Sequence, residues 1–138
     1  MILAAGLAAA VLTGLAGPAG AGAGFAYPDG VSGDIARAYV EAFSSGSDSL
    51  MTAFHRAYLS EAGSEEASIE TRLWEYRRVH KMLGALTPHR VVKNDESMLM
   101  LIVKSSKLDT WFELGIEMDA DSSGMVVDVD LQPAAKPK

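Results

Sequence analysis

The stretch RLWEYRRVHKMLGALTPHRVVK, residues 72–93, decides the fold because the spacing of its apolar residues changes within it. Before Gly84, apolar positions recur three and four residues apart, which places their side chains on one face of a helix. That face comprises Ile69, Leu73, Tyr76, His80 and Leu83. After Pro88 the period falls to two, the repeat of a strand. The stretch therefore predicts a helical half followed by a sheet.

Two shorter helices are predicted before this one. DIARAYVEAFSSG starts with a candidate N-cap at Asp34 and ends at Gly46, and SDSLMTAFHRAYLS follows with Ser47 or Asp48 as its cap. Both segments carry apolar residues at helical spacing. GSEE, residues 63–66, is interpreted as a polar break before the third helix.

Four strands are predicted after the helices. The first starts after Pro88, SMLMLIV is apolar on both faces as expected of a strand covered on each side, and TWFELGIEMD alternates. In the last strand, MVVDVDL, the predicted core residues are Met125, Val127, Val129 and Leu131. The order predicts an α+β domain over residues 34–132, with three N-terminal helices followed by a four-stranded antiparallel sheet. Residues 133–138 are predicted to be a disordered tail.

The first residues have the order of a signal peptide. An apolar run is followed by small residues and Ala-x-Ala triplets, which predicts cleavage near Ala23 or Ala26 and a linker over 27–33. A basic segment is missing, since no Lys or Arg precedes Arg37. The alternative is an uncleaved membrane anchor, although the run is short for a bilayer span. We therefore expect a secreted or periplasmic protein.

The composition excludes several functions. A chain of 138 residues with net charge −6 suits one domain and is a poor partner for a phosphate backbone, so no nucleic-acid binding is expected. The chain has no cysteine, which excludes disulfides, thiol catalysis and cysteine zinc sites.

MDADSSGMVVDVD, residues 118–130, partly matches a calcium loop. The matching positions are Asp119, Asp121, Ser123, Gly124 and Asp130. Val127, however, stands where an oxygen ligand is usual, and the flanks have the period of strands rather than helices. We interpret the segment as a hairpin turn.

His80 is the histidine with a candidate chemical role, because it lies on an otherwise apolar helix face. It would act as an acid/base in a pocket, oriented by Glu113 or Asp109. The alternative, which we favour, is a structural histidine at the edge of the core. No two histidines have zinc-ligand spacing, and Met98, Met100, Met118 and Met125 are interpreted as core residues rather than copper(I) ligands. No metal or cofactor is expected.

Three segments, AYVEAFSSGSDSLMTAFHRAYLS, RLWEYRRVHKMLGALTPHRV and WFELGIEMD, resemble a small exported bacterial domain. It is found ahead of β-lactamase-type serine hydrolases and tail-specific peptidases, and is similar to the nuclear-transport-factor-two-like (cystatin-like, polyketide-cyclase-like) fold. The resemblance implies a cone, in which the helices pack on a curved four-stranded sheet that leaves a pocket at its wide end. Relatives of this fold use it for ligand binding, for isomerase or dehydratase chemistry, or for dimerisation through the sheet. It implies no catalytic residues. Because the chain stops at Lys138, a standalone or truncated relative is expected.

The leading hypothesis is a non-catalytic exported accessory domain that binds a small ligand or a protein partner through its pocket or sheet face. The partner would be a serine hydrolase or peptidase module, or a second copy docked through the sheet. The expected surface comprises Trp74, Tyr76, His80, Met100, Trp111, Glu113 and Glu117. The alternative is a small dehydratase, isomerase or cyclase with His80 and Glu113 as catalytic residues, which requires His80 to line an open cavity beside a carboxylate.

Overall fold

The computed structural model describes residues 24–120 and 125–138, so most of the predicted signal peptide lies outside the described residues. Four helices precede four strands. The helices are α1 (Val31–Ser45), α2 (Asp48–Tyr58), α3 (Glu61–Glu66) and α4 (Ile69–Leu83), and the strands are β1 (Leu86–Asn94), β2 (Met98–Ser105), β3 (Trp111–Asp119) and β4 (Met125–Ala134). The predicted α+β class is confirmed, and the arrangement is compatible with the nuclear-transport-factor-two-like fold. None of the helices in the described ranges is long and apolar enough to span a bilayer.

Helix α1 begins at Val31, earlier than the predicted cap at Asp34, and it takes up the end of the predicted linker. Gly30 precedes it with φ of 96°, a conformation that favours glycine, and its carbonyl accepts a hydrogen bond from the amide of Asp34 at 3.1 Å. Asp34 is therefore inside the first turn, where its carboxylate interacts favourably with the helix dipole.

Helix α3 was missed, because the GSEE segment was interpreted as a break. The hydroxyl of Ser60 accepts a hydrogen bond from the amide of Gly63 at 2.9 Å and so caps the helix. The absent side chain of Gly63 lets the helix approach the edge of β4: a Cβ there would lie 2.6 Å from the carbonyl oxygen of Val126. Six residues without an apolar stripe carry no periodic signal, so this helix depends on its docking to β4.

The strands form one antiparallel meander in the order β1-β2-β3-β4. Strand β1 begins at Leu86, before Pro88, and as an edge strand it contains two register shifts. Strand β4 extends to Ala134, so the predicted tail is partly sheet.

A β-bulge in β4 changes which residues face the core. The register shifts between Glu117 and Met118, which pair with Asp128 and Val126, so Val127 is the extra residue. Val126 is consequently 1% exposed and belongs to the core, whereas Val127 was expected there. The prediction assumed strict alternation, which a bulge interrupts.

The helices cover one face of the sheet. The core includes Ile35, Val40, Phe43, Met51, Leu99, Leu101, Leu114 and Ile116. The opposite face, here called the outer face, carries the side chains that alternate with these, among them the half-buried Met98, Met100 and Trp111 and the exposed Glu117. Strand β2, which was predicted to be covered on both sides, is buried on the helical side and half-buried on the outer face. Ile102 is only 6% exposed on the outer face because its register neighbours are the long side chains of Arg90 and Glu113.

Candidate functional site

A cavity of about 500 Å³ lies between α4 and the sheet, on the helical side. Helix α4 packs mainly on α1 and α2, which leaves space between its apolar face and strands β3 and β4. The apolar walls are formed by Phe43, Met51, Tyr76, Val79, Met82, Leu83, Leu108, Phe112, Val129 and Leu131. A cavity with mostly apolar walls and few polar groups is the usual form of a small-molecule site.

His55 is the most unusual polar group of the cavity wall. It is 5% exposed, and its Nδ1 is buried without a hydrogen-bond partner. Burial, and then the positive charge of Arg72, lower the pKa of His55 to about 4. The imidazole is therefore neutral at physiological pH, and its buried Nδ1 forms no hydrogen bond within the described part of the chain.

Tyr39 on α1 also lines the cavity and is a neutral phenol. Burial, and then Tyr76 and the carboxylates of Asp128 and Asp130, raise the pKa of Tyr39 above its ordinary value. The ring of Tyr39 packs edge-on against Phe54, with ring centroids 5.3 Å apart.

Arg72 joins three segments at one end of α4. Its side chain is 9% exposed, and the guanidinium donates to the carboxylate of Asp128 at 3.0 Å. It also donates to the main-chain carbonyls of Gly63 at 2.8 Å, Val127 at 3.0 Å and Ala67 at 3.2 Å. These bonds use most of its donors, so Arg72 holds α3 and β4 together rather than presenting a free cation to the cavity.

The other charges of the cavity wall are also balanced. Arg78 donates to Glu75 at 2.7 Å, and both side chains are about half exposed. Asp130 also borders the cavity, but its carboxylate lies on the outer face of the sheet, against Gly115, where it accepts a hydrogen bond from Gln132 at 3.2 Å. Both arginines of the wall thus have carboxylate partners, Asp128 for Arg72 and Glu75 for Arg78.

Of the residues expected from the sequence, Tyr76 lies in this cavity. Its hydroxyl donates to the carbonyl of Phe43 at 3.2 Å and approaches that of Ala42 at 3.4 Å. Tyr76 thereby anchors α4 to α1, and its ring supplies part of the wall.

His80 is partly buried but lies outside the cavity wall. Its ring packs on Phe43 and Tyr76, each with centroids 5.6 Å away, and covers Gly46. Burial, and then the charge of Lys107, lower the pKa of His80, and no carboxylate contributes to the shift. Glu113 alternates with the core residue Leu114 and therefore faces the outer side of the sheet. The structure does not bring His80 and Glu113 together.

The remaining expected residues lie on two other surfaces. Trp74 on α4 is 60% exposed, and the guanidinium carbon of Arg78 lies over its ring, 5.6 Å from the ring centroid. Met100, Trp111, Glu113 and Glu117 share the outer face of the sheet. Trp111 contacts His89 and Lys104 there, and Lys104 forms an ion pair with Asp109 at 2.6 Å. Asp109 is thus engaged on that side rather than beside His80.

The calcium-like segment joins two strands, as its flanks predicted. Asp119 at the end of β3 pairs with Met125 at the start of β4, while residues 121–124 of the expected turn lie outside the described residues. In the described ranges, no group of three or more candidate ligands has the geometry of a metal site. The methionines are divided between faces, since Met118 is in the core and Met98 and Met100 are on the outer face.

Sequence reasoning missed His55 and Arg72. His55 follows Met51 by one helical turn, so its position beside the apolar stripe of α2 was the available signal. Arg72 lies in the first turn of α4, where the helix dipole disfavours a cation, and this position was a sign that a carboxylate or carbonyls hold it. Comparison with protein-family models, curated proteins and solved structures finds no match to this chain.

Proposed function

We propose that this protein is an exported, non-catalytic domain that binds an apolar small molecule in the cavity between α4 and the sheet. The observation that carries the proposal is the cavity itself, about 500 Å³ with mostly apolar walls. A ligand that buried about 200 Å² of apolar surface there would gain roughly 5 kcal/mol before the entropic cost of binding.

Binding is favoured over catalysis by the arrangement of the titratable groups. The catalytic alternative needed His80 in an open cavity with a carboxylate beside it, but His80 packs against aromatic rings and Glu113 faces the other side of the sheet. Arg72 in the cavity wall is held by the protein's own groups. These contacts hold the helices and the sheet in place and do not assemble a catalytic site. The apolar wall is therefore the main source of binding energy for a ligand.

The proposal is tested by filling the cavity. Val79 on α4 lines the cavity, whereas Val92 on the edge strand β1 is exposed, so Val79→Trp and Val92→Trp are a matched pair. We expect the wild type and V92W to bind a neutral apolar fluorescent probe such as N-phenyl-1-naphthylamine or 2-methylnaphthalene, and V79W to lose binding. Circular dichroism confirms that both variants fold, and Val129→Phe repeats the test from the sheet side. Equal binding by all variants would contradict the proposal.

Export and fold membership are part of the same proposal. The helices-first order, the antiparallel meander and the cavity on the helical face support a nuclear-transport-factor-two-like domain. The apolar, alanine-rich start of the chain supports export. Fusing residues 1–26 to alkaline phosphatase tests export, because that enzyme is active only after translocation. An inactive fusion would contradict export without affecting the cavity.

A second role, self-association, is favoured by the charges on the outer face of the sheet. One register row runs Lys93, Met100, Gly115, Asp130 from β1 to β4, and the next contains Arg90, Ile102 and Glu113. Basic residues thus lie on β1, acidic residues lie on β3 and β4, and apolar side chains lie on β2 between them. The carboxylate of Asp130 lies against Gly115, since a Cβ there would be 2.7 Å from its Oδ1.

The charge pattern of the outer face is self-complementary. A two-fold axis parallel to the strands places β1 of one copy over β4 of the other, so that Lys93 faces Asp130 and Met100 faces Gly115. We therefore propose that the occupant of the outer face is a second copy of this chain, held by apolar contact on β2 and by opposite charges at the two sides.

A further inference from the structure

We infer that the rim of the cavity is a docking surface for an anionic lipid membrane. Large apolar side chains are exposed there: Trp74 and Met82 on α4 are 60% and 50% exposed, and Leu108, in the loop between β2 and β3, is 51% exposed. Met82 and Leu108 also line the cavity, so they lie at its open side. The inference goes beyond the proposed function, because docking on a membrane does not require a ligand inside the cavity.

The three apolar side chains belong to one surface. Met82 and Leu108 line the cavity together with Arg78, and the guanidinium of Arg78 lies over the ring of Trp74. Trp74, Arg78 and Met82 are four residues apart, so they form a stripe about 12 Å long on one side of α4. A helix with such a stripe can lie flat on a membrane, with its apolar side chains among the headgroups, a depth at which tryptophan is favoured.

The charges beside this stripe are positive, although the net charge of the whole chain is −6. Lys81 and Lys107 are exposed neighbours, since the Nζ of Lys107 donates to the carbonyl of Lys81 at 3.1 Å. Neither lysine forms an ion pair with a carboxylate of residues 24–120 or 125–138. Both positive charges are therefore available to an anionic surface.

The carboxylates near the rim already have cationic partners. Glu75 accepts from Arg78 at 2.7 Å, and Asp109, which follows Leu108, pairs with Lys104 at 2.6 Å. More distant acidic residues contribute little at the rim, because exposed charges are screened beyond about 8 Å at physiological ionic strength. The local potential is therefore positive, and a lysine close to an anionic membrane adds to the attraction.

A lipid surface suits this composition better than a protein partner. Lysine is depleted in protein interfaces, whereas at a membrane its stem covers apolar surface while its ammonium group stays among hydrated headgroups. The apolar rim is also continuous with the apolar cavity through Met82 and Leu108. An apolar molecule dissolved in the membrane would therefore enter the cavity of a docked protein without crossing water.

Flotation with lipid vesicles tests the inference. We expect the wild type to float with vesicles of phosphatidylcholine mixed with phosphatidylglycerol, and not with vesicles of phosphatidylcholine alone. Leu108→Glu should weaken binding to the anionic vesicles at least about tenfold, because a leucine side chain is no longer buried among the lipids. Leu50→Glu, at a similarly exposed residue of α2 outside the cavity wall, is the matched control and should bind like the wild type.

The lysines and the tryptophan supply two further measurements. Lys81→Gln and Lys107→Gln should each weaken binding to the anionic vesicles about fivefold, which corresponds to about 1 kcal/mol for each lysine. Lys93→Gln, on strand β1, should have no effect. In Trp111→Phe, whose remaining tryptophan is Trp74, these vesicles should shift the fluorescence emission to shorter wavelength.

The outcomes separate this inference from the proposed function. Equal flotation of the wild type with both kinds of vesicle, or with neither, would overturn the membrane inference and leave the cavity function standing, since that function is measured with soluble probes. V79W, which fills the cavity, should still float; loss of its flotation would assign lipid binding to the cavity rather than to the rim. A wild-type dimer that L108E converts to monomer would assign the rim to a second copy and would also overturn the inference.

Discussion

The guanidinium of Arg72 donates to the carboxylate of Asp128 at 3.0 Å, although the two residues are 56 positions apart in the chain. The contact joins the first turn of α4 to the edge strand β4, and the same guanidinium reaches the carbonyls of Gly63 and Val127. One side chain thus holds α3, α4 and β4 in the arrangement that bounds the cavity.

Replacing Arg72 should destabilise the protein strongly. Arg72→Met leaves the carbonyls of Gly63 and Val127 without these donors, and a buried polar group without a partner costs about 1–3 kcal/mol, so we expect a loss of about 2–4 kcal/mol. Urea denaturation measures the change. The matched control is Arg77→Met, which removes an exposed ion pair with Asp48 and should cost less than about 1 kcal/mol. Similar losses in both variants would show that Arg72 is no more than a surface charge.

The stability of the protein should fall in mild acid because of His55. Its pKa is about 4 in the folded state against an ordinary value of 6.5, so the unfolded chain binds the proton more tightly. The stability that results is fully present above pH 6.5 and is lost as the pH falls from 6.5 towards 4. The loss is of the order of 2–3 kcal/mol.

Comparison with His55→Phe isolates this contribution from that of the carboxylates. The variant should unfold with a shallower dependence on pH between 6.5 and 4, and at pH 7 it should be at least as stable as the wild type, because an unsatisfied nitrogen has been removed. Parallel pH profiles of the two proteins would contradict the assignment.

The close approach of α3 to β4 makes Gly63 intolerant of a side chain. In Gly63→Ala the new Cβ would lie 2.6 Å from the carbonyl oxygen of Val126 and 2.9 Å from that of Val127, so the helix must move away from the strand. We expect a loss of about 1–3 kcal/mol in thermal or urea unfolding. Ser64→Ala, at an exposed neighbour on the same helix, should change stability by no more than about 0.5 kcal/mol. A G63A protein as stable as the wild type would show that α3 is not held by this contact.

Charge reversal on the outer face tests the proposed dimer. Lys93→Glu and Asp130→Lys should each yield monomers in sedimentation velocity, because each places like charges opposite one another across the two-fold axis. An equimolar mixture should form heterodimers, since Glu at position 93 of one copy then faces Lys at position 130 of the other. Wild type that sediments as a monomer at high concentration and low salt would refute the dimer.

The sequence by itself determined the order of the architecture. The change of apolar spacing between Gly84 and Pro88 is a local property of the chain, so the positions of α4 and of the strands could be predicted without knowing their partners. The alternation of Glu113, Leu114, Gly115 and Ile116 likewise predicted the two faces of β3 correctly.

Tertiary structure alone decided the details that form the candidate site. Helix α3 exists because Gly63 fits against β4, and Val126 replaces Val127 in the core because of a bulge that depends on strand pairing. His55 and Arg72 become cavity residues only where α2, α4 and β4 meet. The physical reason is the distance along the chain over which each property is set. Periodicity shows which face of its own helix or strand a residue occupies. The hydrogen bonding of a buried imidazole or guanidinium depends instead on groups that are distant in the sequence.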